Sequence, residues 1–148
     1  MRKTMVTNSP DETFAAGDDL GRSLRAGDVV LMTGGLGAGK TLFAKGVLNA
    51  VGFDIDEVTS PSFTLVNLYQ TGQFDVYHID LWRLDVAANP AEAVGLDEIL
   101  ENPKAVTLIE WADRLVDLNV PNHTINVSIK GDGDEPRQIE IVSADRGQ

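Results

Sequence analysis

The sequence predicts an α/β fold, and three observations carry the prediction. An apolar run, Asp28-Val29-Val30-Leu31-Met32-Thr33, feeds a glycine-rich loop that opens directly into a helix-like stretch, Thr41 to Val51. A second buried-strand run, Val106 to Ile109, ends on a carboxylate, Glu110. Two further segments, 63–81 and 125–142, alternate and turn like β-hairpins. Strands alternating with helical stretches are the pattern of an α/β domain.

The elements follow in order. Ser9-Pro10-Asp11-Glu12 reads as a helix start, with Ser9 as N-cap, Pro10 in the first turn and Glu12 closing a capping box. Ala16, Leu20 and Leu24 then share one helical face, and Gly27 ends the helix. Met1 to Met5 is read only as a short basic start, so Val29–Thr33 is the first expected strand. The helix after the glycine loop ends near Gly52. Residues 58–62 hold a proline and two serines and read as a loop. Phe63 to Tyr69 and Phe74 to Leu81 are expected strands around a Thr71-Gly72 turn. Strand periodicity puts Val76, His78 and Asp80 on one face and Tyr77, Ile79 and Leu81 on the other. Asn89-Pro90-Ala91-Glu92 starts a helical stretch that runs to about Leu100 and breaks at Gly95. Ala112 to Leu118 reads as a turn of helix. Ile125, Val127 and Ile129, a Gly131–Asp134 turn, then Ile139 and Ile141 form the last hairpin, and Ala144–Gln148 is expected to fray. Asp132, Asp134 and Glu135 faintly resemble a calcium loop, but the later ligand spacing is wrong and the turn reading is stronger.

Composition bounds the rest. A chain of 148 residues is expected to be a single domain, 1–148, able to bury about 68–70% of its unfolded surface without a covalent staple. It has no cysteine, which excludes disulfides and thiolate metal sites. No secretory h-region and no apolar run of membrane-spanning length is present, so a cytoplasmic protein with no membrane association is expected. The net charge is −11, from 23 acidic and 12 basic residues. Such a surface repels a polyanion, so any work on nucleic acid calls for a basic partner to hold it. Charge alone says no more than solubility.

Gly34-Gly35-Leu36-Gly37-Ala38-Gly39-Lys40-Thr41 fits G-x-x-x-x-G-K-[ST], the phosphate-binding P-loop. Strand, glycine loop and helix is the context that gives the pattern its meaning. Glycines open backbone turns in which successive N–H groups face inward around phosphate oxygens. The following helix N-terminus favours an anion. Lys40 is expected to reach the β- and γ-phosphates, and the Thr41 hydroxyl to ligate Mg²⁺. The nucleotide-binding segment is thus Gly35, Leu36, Gly37, Ala38, Gly39, Lys40, Thr41 and Leu42.

Such a loop needs an acidic group near the metal at a strand end, and Glu110 suits it as a group ordering the Mg²⁺ shell or polarising water. Asp80 is a candidate for a water-mediated metal contact. His78 either orients a phosphate or packs, and it is left out of the catalytic set. His78 and His123, far apart in a chain without cysteine, do not make a zinc site. Ser60, Ser62 and Thr64 lie where nucleotide switches place a hydroxyl that senses the γ-phosphate. Trp111 either stacks on a ligand or fills the core, burial being the default.

Together these motifs resemble a family. Residues 34–41, Ser-Pro-Ser-Phe-Thr-Leu-Val at 60–66, His-Ile-Asp-Leu-Trp-Arg-Leu at 78–84, Gly-Leu-Asp-Glu at 95–98 and Ile-Glu-Trp-Ala at 109–112 occur in the order and spacing of the TsaE (YjeE) ATPases. The resemblance covers about Pro10 to Leu115. It implies a P-loop α/β domain with a central parallel sheet, flanking helices and antiparallel strands added at the edges, the 63–81 and 125–142 hairpins being those additions. It implies a bacterial ATPase that uses ATP and Mg²⁺ in making threonylcarbamoyladenosine in tRNA. In that family a TsaD–TsaB pair transfers the group, while the ATPase binds the pair and resets it between turnovers, touching tRNA only indirectly. Carried over, Lys40 and Thr41 match the phosphate and Mg²⁺ positions, and Asp80 and Glu110 the carboxylates near the metal. Trp111 matches the tryptophan that follows, and Ser60, Pro61 and Thr64 the switch-like loop. Ser62 stands where threonine is common and Trp82 where tyrosine is common.

Other classes fit less well. A small-molecule kinase wants arginines over the phosphates, and only Arg83 and Arg114 are placed to help. A GTP switch wants an Asn-Lys-x-Asp-like guanine reader, which the chain lacks. A scaffold that only holds nucleotide has no need of Lys40, Thr41, Asp80 and Glu110 together.

Overall fold

The computed structural model describes residues 1–35, 37–58, 66–82, 94–115 and 123–144. Seven strands form one sheet: β1 (Arg2–Thr7), β2 (Val29–Thr33), β3 (Val66–Gln70), β4 (Asp75–Asp80), β5 (Ala105–Glu110), β6 (Thr124–Lys130) and β7 (Arg137–Ser143). Their order is β1-β7-β6-β2-β5-β4-β3. Strands β6, β2, β5 and β4 pair in parallel and make the centre. Strand β3 is antiparallel to β4 at one edge; β7 is antiparallel to β6, and β1 to β7, at the other. This is the expected mixed α/β architecture, with one refinement. Each hairpin gives its inner strand, β4 or β6, to the parallel core and only its outer strand to the antiparallel edge.

All six residues of β5 are buried, as befits a parallel strand covered on both faces. On one face Val30, Met32, Val76, Val106 and Leu108 join Val127 and Ile129 beneath α1 (Pro10–Gly21) and α2 (Lys40–Ala50). On the other, Val29, Ile79, Leu81 and Ile109 pack with Leu96 and Leu100 of α3 (Leu96–Leu100).

The start of α1 is capped as its sequence predicts. The Ser9 Oγ accepts from the Glu12 N–H at 3.2 Å, while Glu12 Oε1 reaches back to the Asn8 N–H at 2.9 Å. The helix ends at Gly21, earlier than expected, although Leu24 remains buried. Helices α1 and α2 meet through glycines. A Cβ on Gly17 would lie 2.0 Å from the Phe43 carbonyl oxygen, and one on Gly46 2.1 Å from that of Phe14. No side chain fits either gap, and the close approach seats α2 and the loop before it on the sheet.

One strand was not expected. Residues 2–7 are a strand, not a basic tail, and they close the sheet edge against β7. Only Thr7 of the six is fully buried, so the alternation that marks a strand is masked. Arg2 pairs with Glu140 at 2.9 Å and Lys3 with Asp19 at 3.0 Å, both well exposed, so backbone pairing holds this edge more than charge does. The expected helical turn from Ala112 is a 3₁₀ turn at Ala112–Arg114, and the stretch ending at Leu100 begins, within the described residues, after Gly95. The remainder of those two expectations, at 89–93 and 116–118, lies outside the described residues.

Candidate functional site

Parallel pairing brings the site together. Met32 near the end of β2 is in register with Glu110 at the end of β5, and Glu110 with Asp80 at the end of β4. The three strands therefore end side by side under the loop that leaves β2. Gly37 and Gly39 carry that loop in backbone conformations of positive φ, +78° and +112°, which side chains disfavour. Gly39 is the N-cap of α2, and no side-chain cap bond is made there among the described residues, leaving the N–H groups of the helix start to face a ligand.

Thr41, in the first turn of α2, points down at the strand ends. Its Oγ1 donates to Glu110 Oε1 at 2.8 Å. The other carboxylate oxygen, Oε2, is hydrogen-bonded to His78 Nε2 at 2.5 Å. His78 is fully buried, and among the described residues its Nδ1 has no partner. Asp80 Oδ1 accepts from the Trp82 N–H at 2.9 Å. Hydroxyl and carboxylates converge on a cavity of about 240 Å³ lined by Lys40, Thr41, Asp80, Trp82, Glu110 and Trp111. Oxygen donors of this kind suit a hard cation such as Mg²⁺, which keeps several waters and takes only one or two protein carboxylates. Among the described residues no cluster of three or more His, Asp or Glu forms a dedicated metal cage.

Lys40 folds back onto its own loop. Its Nζ donates to the Gly34 carbonyl at 2.7 Å and the Gly35 carbonyl at 2.8 Å, and lies 3.9 Å from the centre of the Trp111 ring. Trp111 in turn packs on Trp82, with ring centres 4.3 Å apart. Trp111 is the one non-glycine among the described residues with positive φ, +60°. That turn directly after β5 aims the indole across the cavity instead of continuing the strand. Burial lowers the Lys40 ammonium below the usual lysine value of 10.5, while Glu110, Asp80 and Asp113 pull it back up.

Arg137, at the start of β7, was missed in the sequence. Its Nε donates to the Ala38 carbonyl at 3.0 Å and its Nη2 to those of Gly37 at 3.3 Å and Gly133 at 3.0 Å. It ties the glycine loop to the β6–β7 turn, a hundred positions away. Beside this clamp a second cavity, about 330 Å³, opens between Asn8–Pro10, the glycine loop and Gly133–Glu135. A wider hollow of about 500 Å³ over β1, β6 and β7 holds none of the site residues.

Lys40, Thr41, Asp80, Glu110 and Trp111 are thus gathered around one cavity, with Gly37, Gly39 and Leu42 on its rim. Gly35 and Ala38 belong to the same loop; Ala38 is buried. Leu36, Ser60, Pro61 and Thr64 lie outside the described residues, as do Ser62 and Arg83. No helix among the described residues is long and apolar enough to cross a membrane.

Comparison with known proteins agrees in one direction. Residues 7–139 match the family described as threonylcarbamoyl adenosine biosynthesis protein TsaE. The Bacillus subtilis tRNA threonylcarbamoyladenosine biosynthesis protein TsaE is 36% identical over 137 residues, covering 93% of this chain and 83% of that one. Its counterpart from Treponema pallidum is 35% identical, covering 93% of this chain and 98% of that one. The crystal structure of Bacillus subtilis YdiB superposes with a TM-score of 0.71 at 30% identity, covering 97% of this chain and 86% of that one.

Proposed function

The chain belongs to the TsaE family, and from that premise we propose that it is a Mg²⁺-dependent ATPase of the tRNA threonylcarbamoyladenosine machinery, cycling a TsaD–TsaB transferase pair. The observation that carries the reading is the convergence of Thr41 and Glu110 beneath a glycine loop whose helix N-terminus carries no side-chain cap.

The loop N–H groups and the start of α2 receive the phosphates. Lys40 leaves the Gly34 and Gly35 carbonyls for the β- and γ-phosphate oxygens, which offer it stronger, charge-assisted hydrogen bonds. Thr41 and Glu110 would hold the metal, with the Asp80 carboxylate as a further group lining the same cavity. Mg²⁺, when bound, neutralises charge building on the transferring phosphoryl group. Glu110 also orients the attacking water. The 330 Å³ cavity shares Gly37, Gly39 and Leu42 with the metal-side cavity, so the ribose and base extend toward Asn8–Pro10 and the 133–137 turn. Ser60 or Thr64 senses the γ-phosphate and couples its loss to the partner interface. The strongly acidic chain leaves tRNA to the partners.

Binding and turnover measured on two variants test this. Lys40→Ala loses ATP binding or turnover, while Glu110→Ala keeps ATP binding and loses hydrolysis. Normal turnover by both variants would overturn the reading.

A further inference from the structure

We propose that His78 is a positioning residue, whose Nε2–H fixes the Glu110 carboxylate in the orientation that serves the metal and the attacking water. The inference rests on the role given to Glu110 above.

Three observations support it. His78 is fully buried and lines neither cavity beside the loop, so it acts on Glu110 and on no ligand directly. The carboxylate torsion of a glutamate is broad, and one hydrogen bond leaves it free to swing. Here Thr41 takes Oε1 and His78 takes Oε2, so both oxygens are held. Finally, His78 Nδ1 is buried without a partner among the described residues. A bare lone pair is the cheaper group to leave there than an N–H, which assigns the proton to Nε2, facing Glu110.

The partner is also rigidly mounted. His78 sits inside β4, in register with Leu108 of β5, two residues before Glu110. The Thr41 contact belongs to the ligand side and is broken or shared when a metal takes the hydroxyl. The His78 contact comes from the core side and persists through the cycle. A histidine that merely satisfies a buried carboxylate would affect folding and binding together. A positioning histidine affects turnover alone.

The test uses the full chain with its TsaD–TsaB pair, and compares wild type, Glu110→Ala, His78→Leu and His78→Gln. The glutamine amide presents a donor near the Nε2 position. His78→Leu is expected to lower kcat 10- to 100-fold at unchanged ATP affinity, with most of the loss recovered in His78→Gln. A kcat for His78→Leu within about twofold of wild type overturns the inference. So does an equal loss in both variants, or a parallel loss of affinity and rate. Nitrogen-15 NMR of the histidine rings decides the geometry without reference to turnover, and needs no folded variant at position 78. A proton on Nε2 whose signal shifts in Glu110→Ala supports the inference; a proton on Nδ1 with a bare Nε2 overturns it. Persistence of hydrolysis in Glu110→Ala would instead bring down the functional reading, with the NMR result still deciding whether His78 holds the carboxylate.

Discussion

Thr41 and Glu110 are 69 positions apart in sequence and 2.8 Å apart in space. One opens the helix after the glycine loop and the other closes a central parallel strand. Their hydrogen bond occupies the place where a hydroxyl and a carboxylate oxygen would share the shell of a hard cation. The Thr41 hydroxyl donates and the Glu110 carboxylate accepts, so the fold itself brings these two oxygens together.

The first prediction follows from that pair. Thr41→Val keeps the shape of the side chain and removes the oxygen. It is expected to raise the Mg²⁺ concentration needed for half-maximal turnover at least about tenfold, the low end of the cost of disturbing a metal site. A titration of hydrolysis against Mg²⁺ measures it.

Arg137 supplies the second. Arg137→Ala removes hydrogen bonds to the carbonyls of Gly37, Ala38 and Gly133 and frees the glycine loop from the β6–β7 turn. ATP affinity is expected to fall about three- to tenfold, because the loop must then be ordered on binding. Arg137→Lys is not expected to rescue it, since one ammonium cannot span the same fork of acceptors. Calorimetric titration with ATP checks both variants.

Much of the site is legible in the sequence because its signals are local. The apolar run ending on Glu110 marks a strand end, and the glycine pattern marks the loop between strand and helix. What is not local was missed. Arg137 reaches the loop only because β6 and β7 fold back beside β2, and no spacing shows that. The period-two reading puts His78 and Asp80 on one face, but the contact between His78 and Glu110 depends on β4 pairing next to β5 in one particular register. Strand β1 hid because it is an edge strand with polar residues on both faces, so it lacks the alternation by which strands are recognised.

The glycine crossing of α1 and α2 gives a third prediction, about stability. Gly46→Ala gains up to about 1 kcal/mol of helix propensity. The added methyl would sit 2.1 Å from the Phe14 carbonyl oxygen, and two backbones must move apart to admit it. Overpacking of this kind costs about 1–3 kcal/mol or more, so a net loss and a lower Tm are expected. Gly72→Ala, where a Cβ meets nothing within 4 Å, is the control with little effect. Thermal unfolding followed by circular dichroism separates the two.

Lys40 gives a fourth, with a definite sign. Its ammonium titrates below 10.5 in the free chain because burial disfavours the charge. Phosphate oxygens favour the charge and raise that value on binding. Between the free and bound values, binding therefore takes up a proton, and affinity falls as pH rises through the free value. Calorimetry at alkaline pH in two buffers of different ionisation heat should show this uptake, and Lys40→Met should abolish whatever binding-linked uptake Lys40 causes.

The most direct test of the central claim is ATP hydrolysis by the chain alone and with the TsaD–TsaB pair proposed as its partner, with GTP as control. Weak turnover alone is expected, because switch ATPases often need a partner to complete the site. It should rise sharply with the pair, for ATP over GTP. Nucleotide binding with no response to the pair would contradict the claim that this chain cycles a tRNA-modifying complex.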